Sequence, residues 1–546
     1  MKNNSSKMKS FLGEEGVTIR KSIFIPMSLL LLTTVMMGII APKTLYNIQD
    51  SLIGFSIDNF GWLFMFLANG ILFICLWLLF SKHGDIRLGG SKAKPTMSTW
   101  SWITLSICSG AAAELFLWGT SQPLLFYVQG LVERGISPLS ETAAVYAIGE
   151  TGFMWTFIPY ACYTICGLAI GFAVHNMKLP YKISSALYPV FGKKINGNLA
   201  SAVDLVSFFA MVGSVAAVVG ICSMSISSAL DMYFGIKETT LIVAGLLTIV
   251  YVYTSYTGVD KGINMMADIN AKLYLAILVF TFVVGPTTFI LNLGTQSFGF
   301  FLDNFFEMAH YLSPIDGSDY PRWWTLFCWT GWIGFAPMSG LFLARLSKGR
   351  TIKECVLVNM IVPGIFSFIW FCIFGGAAIN LEMQGTGIGN FMIANGMETV
   401  VFEFFKYFPL SNVIIIIFIM GIFVSTVTMA NASTVTVAAL CVRSNKNGAD
   451  EEPPKMMKIF WGLVMALIAI VNLLSGQAGE ISGIDATKQI TTLTGFPVAF
   501  IMIFMIYSFI KMLMNREQYD LIEYPETAFI DPDVMVEYES DMENVG

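Results

Sequence analysis

Four tryptophans, Trp323, Trp324, Trp329 and Trp332, fall within ten residues, and Gly331, Gly334, Pro337 and Gly340 accompany them in a stretch otherwise apolar enough to cross a bilayer. A helix that merely faces lipid needs neither the indoles nor the helix breakers. Aromatic faces attract cations, quaternary ammonium groups in particular. Glycine and proline at membrane depth suggest an interrupted helix lining a cavity. The segment therefore reads as one wall of a cation site, with Gly331, Gly334 and Pro337 as its break. A second aromatic group, Trp155, Tyr160 and Tyr163 with Phe153 and Phe157 nearby, lies earlier in the chain. Spacings of three and five place some of these rings on neighbouring helix faces. Such a stripe alone suits packing or a membrane-interface belt as well as a ligand. Beside the tryptophan-rich segment it becomes a candidate second wall.

The charge that stands out is Glu114, far from either end of the apolar run 101–127. A carboxylate at bilayer depth costs on the order of several kcal/mol unless it is paired, hydrated or protonated. It reads as a countercharge, as a proton carrier alternating between two protonation states, or as a carboxyl satisfied by nearby hydroxyls and backbone. Asp204 and Asp268 lie nearer the ends of their runs and read as structural, Asp204 in a first helical turn. The nine cysteines show no paired spacing and the three histidines, His83, His175 and His310, lie far apart. No disulfide frame, metal site, cofactor site or nucleophile–base set is expected, and nothing points to an enzyme or to a nucleic-acid partner.

The elements that must position these groups are membrane helices. The chain has 546 residues, 55% hydrophobic and 12% charged, against about 25% charged in a typical soluble protein. Twelve apolar spans are expected, near 24–42, 61–80, 101–127, 150–175, 200–229, 238–256, 266–293, 323–346, 353–379, 410–441, 455–475 and 485–514. The polar residues 1–22 lack the pattern of a signal peptide, so the first span is expected to be retained. Lysines and arginines gather in the N-terminus and the even-numbered loops (Lys82, Arg87, Lys92 and Lys94 in the second, for example), while the odd loops hold about one each. The positive-inside rule then places both termini in the cytoplasm, in a multi-pass protein of the cell membrane. Residues 294–322, with FGFFLDNFFEMAHYL, are expected to form an interfacial helix or an ordered loop. From Glu517 to Gly546 the chain carries ten acids and no Lys or Arg, which favours disorder in a cytoplasmic tail spanning 516–546.

Span three, with Ser109-Gly110-Ala111-Ala112-Ala113-Glu114, and span eight, with Gly331, Gly334 and Pro337, are both rich in small residues and lie five spans apart. Paired interruptions at matching positions point to the midplane site of a transporter built from repeats, although small residues also allow close helix packing. The expected organisation is a cytoplasmic segment 1–22, two peripheral helices in 23–100, a first repeat 101–293 broken at Gly110, the segment 294–322, a second repeat 323–515 and the tail.

Trp324-Thr325-Leu326-Phe327-Cys328-Trp329, the later GLFLARLSKGRTIKE, FLWGTSQPLLFY in span three and VDLVSFFAMVGSVAAVVG in span five resemble the betaine/carnitine/choline transporter family. The resemblance runs from about 20 to 515. It implies an all-α polytopic membrane protein of twelve transmembrane helices with a five-plus-five inverted-repeat (LeuT-like) core, alternating access, and a homotrimer. It implies a substrate cage of Trp155, Tyr160, Tyr163, Trp324, Trp329, Trp332 and Phe335. The departures from the family pattern are informative. Gly331 stands where the family often has a tryptophan, Phe335 where Trp or Tyr is usual, and Tyr160 where span four usually has a second Trp. Glu114 falls at the last glycine of the betaine-type Gly-x-Gly-x-Gly run, where choline-type members carry an acid. A zwitterion brings its own carboxylate and a pure cation does not, so Glu114 favours a cationic, choline-like substrate and proton coupling. Thr428 and Met429 match the hydroxyl pair of sodium-coupled members, and a thioether is a poor ligand for Na⁺. H⁺ and Na⁺ both stay open as coupling ions. The alternative is a sodium-independent exchanger of carnitine- or betaine-type zwitterions, although Asn264 stands where such exchangers carry an arginine.

Overall fold

The computed structural model describes residues 18–109, 112–257, 260–443 and 453–534. Apart from a two-residue antiparallel pairing of Thr18–Ile19 with Val442–Arg443, its regular structure is helical among the described residues. Ten helices are long and apolar enough to cross a membrane, eleven if one bent pair counts as a span, against the twelve expected. The remaining span, the third, falls into α3 (Thr99–Ser109) and α4 (Ala112–Gln129) on either side of two residues outside the description. The break expected at Gly110 lies among those undescribed residues.

Helix α1 (Lys21–Ile40) leads directly into α2 (Pro42–Phe80). At 39 residues, α2 begins far before the expected position 61, and Pro42 opens it at the first helical position, where its missing N–H costs nothing. Span four is divided. Helix α5 (Glu141–Trp155), N-capped by Ser140, ends at Thr156, and α6 (Phe157–His175) then begins. Pro159 explains the division, because it has no N–H to give the Trp155 carbonyl. Helices α7 (Asn198–Phe234), α8 (Thr240–Thr257) and α9 (Asp260–Val284) complete the first half. The chain bends by 108° at Gly285-Pro286, between α9 and α10 (Thr287–Asp303), so that α10 starts seven residues before the expected start of a separate segment at 294.

In the second half a π-helical turn, Arg322–Leu326, precedes α11 (Phe327–Leu346), and another, Leu357–Ile361, precedes α12 (Val362–Met383). Then come α13 (Ser411–Leu440), α14 (Lys455–Ala478) and α15 (Gly483–Met514). Helix α11 corrects one expectation. It runs unbroken through Gly331, Gly334 and Pro337. The small residues serve close packing. A Cβ on Gly334 would lie 3.1 Å from Gly495 Cα on α15, and one on Gly340 would collide with Cys166 on α6. Glycine is what lets these backbones approach.

Packing partners recur under a shift of five spans. Helix α11 packs on α6 as α4 packs on α12, and α11 on α15 as α3 on α9. Helix α15 meets α7 as α9 meets α13, and α14 meets α7 as α8 meets α13. Two further contacts, α7 with α13 and α8 with α14, map onto themselves. Two similar five-span units produce this pattern, and an odd number of crossings makes the second start on the opposite side of the membrane from the first.

Two polar details also differ from expectation. Asp204 is the seventh residue of α7 rather than in its first turn, and its Oδ2 pairs at 2.8 Å with Arg20 Nη2. The described part of the acidic tail, up to residue 534, is docked on the rest of the protein. Leu521 N–H donates to the Asn176 carbonyl at 3.1 Å, Ser91 N–H donates to Glu523, and Lys193 pairs with Asp531 and Asp533 at 3.0 and 2.6 Å. Ile530 and Val534 are buried. The acids thus meet basic and donor groups of two loops instead of repelling one another in water. Residues 535–546 lie outside the description.

Candidate functional site

A cavity lies where α4, α6, α7, α11, α13 and α15 converge. Its walls include Glu114, Tyr163, Phe327, Trp332, Phe335 and Met429. Helix α11 contributes Phe327, Cys328, Gly331, Trp332 and Phe335, at spacings that keep them on one side of the helix. Gly331 lets α11 and α15 approach closely at this wall, since a Cβ there would lie only 2.9 Å from Thr491 Cγ2.

The aromatic rings are fixed by their neighbours. Trp332 Nε1 donates to the Met154 carbonyl at 3.1 Å. That carbonyl lies in the last turn of α5, where the division of span four leaves backbone acceptors without intrahelical donors. Trp155 packs edge-on against Trp332 at 4.8 Å between centroids, and its own Nε1 donates to Gln122 Oε1 at 2.7 Å. Tyr163 meets Phe335 edge-on at 5.6 Å.

The cavity's polar groups share a character. Ser214, Thr487 and Thr491 each donate their hydroxyl proton to a carbonyl of their own helix, to Ala210, Ile484 and Thr487 at 2.9, 2.6 and 2.9 Å. Their oxygens remain as acceptors. With the Glu114 carboxyl, the cavity offers acceptors and aromatic faces, and among the described residues no lysine or arginine lines it.

The structure thus brings Glu114, Tyr163, Gly331, Trp332 and Phe335 together and leaves other expected residues outside the cavity wall. Trp155 buttresses Trp332 from behind. Tyr160 turns aside, its hydroxyl 3.0 Å from Ser367 Oγ. Trp329 is fully buried against Phe153 at 5.2 Å, one position round α11 from the lining face. Trp324 stacks edge-on with Phe126 at 4.8 Å beyond the cavity. Thr428 donates to the Val424 carbonyl at 2.8 Å, and its neighbour Met429 faces the cavity instead. The side chain of Asn264 is not described. The sequence reading missed the contributions of α7 and α15, Ser214, Val218, Ile221, Thr487 and Thr491. Small and aliphatic residues in long apolar helices carry no chemical signal of their own.

A family model described as the betaine/carnitine/choline family transporter matches residues 22–518. The chain belongs to this family. Its relatives include the glycine betaine transporter OpuD of Bacillus subtilis, 30% identical over 89% of this chain and 92% of the relative. The ectoine/hydroxyectoine transporter of Virgibacillus pantothenticus is also 30% identical, over 92% of this chain and 98% of its own. The betaine/ectoine transporter LcoP of Corynebacterium glutamicum is 29% identical, over 90% and 78%. A solved Na⁺-coupled sialic acid symporter aligns over 88% of this chain and 96% of its own, at 14% identity and a TM-score of 0.38. The family is one of membrane transporters, not of enzymes.

Proposed function

We propose that this protein is a secondary active transporter that imports a quaternary ammonium compound or related amine by alternating access, with a cationic, choline-like substrate and proton coupling. The observation that carries this reading is the cavity lining. Aromatic faces from Tyr163, Phe327, Trp332 and Phe335 surround a space whose one ionisable carboxyl is Glu114, with no cationic side chain among the described lining residues. A methylated cation gains from the rings and finds its countercharge in Glu114. A zwitterion's carboxylate would find only hydroxyl oxygens and Glu114. Glu114 then neutralises the substrate or, when the site empties, carries the proton. In this reading both termini face the cytoplasm of a cell-membrane protein, α10 lies along the outer surface, and three copies form the functional unit.

Exchange of a carnitine- or betaine-type zwitterion without sodium is the second reading. It draws support from Met429, a thioether where a hard cation would need oxygen, and from relatives named for betaine and ectoine transport. Purified protein in proteoliposomes separates the two. Concentrative choline uptake driven by a proton gradient, abolished in Glu114→Gln, is the expected result. Glycine betaine uptake unaffected by that substitution would favour the exchanger. Thermal-shift titrations with choline, glycine betaine, carnitine, γ-butyrobetaine and simple amines, with and without Na⁺, identify the ligand. Stabilisation only by compounds lacking a positive nitrogen would overturn both readings.

A further inference from the structure

Lys488, on α15, lies between two residues of the cavity wall, Thr487 and Thr491, and is itself outside that wall. Its side chain is only 4% exposed. Its ammonium sits among three aromatic rings, 3.9 Å from the centroid of Trp324, 5.4 Å from Phe327 and 5.5 Å from Trp118. These rings come from the π-helical turn before α11, from α11 itself and from α4, elements of both halves of the molecule. Phe327 also lines the cavity, so one ring separates the lysine from the substrate space. Trp118 continues the contact inward to Trp155 at 5.8 Å, and Trp155 to Trp332.

A buried ammonium needs compensation for lost hydration. Among the described residues its nearest carboxylate is Asp485 Oδ1, at 3.7 Å one turn back on the same helix, and Asp485 is partly exposed. The ammonium thus sits in the aromatic box and beside Asp485 at once, in a single side-chain arrangement. The partly exposed Asp485 marks the side on which water lies, and a change of side-chain torsion would carry the ammonium out of the box on that side.

We propose that Lys488 is a tethered cation that latches shut the end of the cavity nearest the start of α11. Seated in the box, it ties α4, α11 and α15 together. When it leaves the box for water on the Asp485 side, the three rings separate and the cavity opens on that face. The box thus uses the same chemistry as a cation cage, with a cation supplied by the protein itself. The latch does not depend on which amine is transported, so it stands or falls apart from the substrate reading.

Cys328, which lines the cavity beside Phe327, reports the opening. The full-length protein is reconstituted without substrate, and a membrane-impermeant maleimide is added to either face of sealed vesicles. Modification of Cys328 is then quantified by peptide mass spectrometry. Slow labelling is expected for the wild type from the face nearest Lys488. Lys488→Met is expected to accelerate it about tenfold from that face and not from the other, whereas Lys488→Arg retains the slow rate. Trp324→Leu breaks the box from the opposite side while keeping the charge, and is expected to match Lys488→Met. Wild-type labelling rates in both Lys488→Met and Trp324→Leu would overturn the latch, as would equal acceleration from both faces. Unchanged latching with no amine bound at any concentration would instead count against the proposed function alone.

Discussion

The two central tryptophans of α11, three residues apart, have different jobs. Trp332 faces the cavity with its indole N–H held by the Met154 carbonyl, whereas Trp329 is sealed against Phe153 and its Nε1 has no hydrogen-bond partner among the described residues. Replacing Trp332 with Leu removes a cation-binding face from a desolvated site, worth about 2 kcal/mol or roughly thirtyfold in affinity. Trp329→Leu is expected to leave affinity within about twofold and to lower the thermal unfolding temperature, as large-to-small core changes do. Isothermal titration and thermal unfolding of the two variants check this, and an equal loss of affinity in both would place Trp329 in the site. Sequence could nominate both indoles but not choose between them. A shift of one residue on a helix turns a side chain by about 100°, and no periodic polar face marks which side of a fully buried helix meets the cavity. Glu114 was easier to find, since a carboxyl in an apolar run is conspicuous wherever it points.

At the scale of the helix, the interruption that shapes the site is in span four, not span eight. The signal was present in Pro159, two residues into α6, but glycine-rich α11 drew the inference because glycine permits both a break and a close approach. The contact with Gly495 decides for approach at Gly334, since in a straight helix the small residue is needed where two backbones meet. The division at Thr156 in turn supplies the carbonyl that orients Trp332. Pro159→Ala restores a backbone donor to Trp155 and favours a continuous helix through residues 155–159. The Met154 carbonyl would then return to its own ladder and release Trp332. Losing one such hydrogen bond costs about 0.5–1.5 kcal/mol, so KM is expected to rise by about threefold to tenfold while the protein stays folded. An unchanged KM with unchanged tryptophan fluorescence would show that Trp332 is held by packing alone.

Over the whole molecule, the positions and order of most spans were readable from hydropathy, because a bilayer demands helices of a certain length. The fate of the acidic tail was not readable, because its partners lie in loops hundreds of residues away. Composition sees ten acids and predicts repulsion, yet the fold presents Lys193, Asn176 and the Ser91 N–H to the carboxylates of Asp520, Glu523, Asp531 and Asp533, while the Tyr188 hydroxyl accepts from the Asp531 backbone N–H. The segment therefore ties the loop after span two to the loop after span four. The Ser91 backbone N–H holds the Glu523 carboxyl below its usual range, and Asp533 and Asp531 hold the Lys193 ammonium above its own. A depressed carboxyl favours docking above the ordinary carboxylate pKa of about 4.3, a benefit lost as pH falls through the lowered folded value. A raised lysine favours docking below about 10.4, a benefit lost as pH rises through the raised value. Docking should accordingly be firmest between these limits and weaken with salt, since the groups are exposed. Lys193→Glu places a like charge against Asp531 and Asp533 and should free the segment after Gln518 at neutral pH. Limited proteolysis of the full chain would then cleave it several times faster than in the wild type, whose cleavage accelerates only in acid, in strong alkali or in high salt. Equal cleavage of both proteins at neutral pH and low salt would mean that burial of Ile530 and Val534, not charge, holds the tail in place.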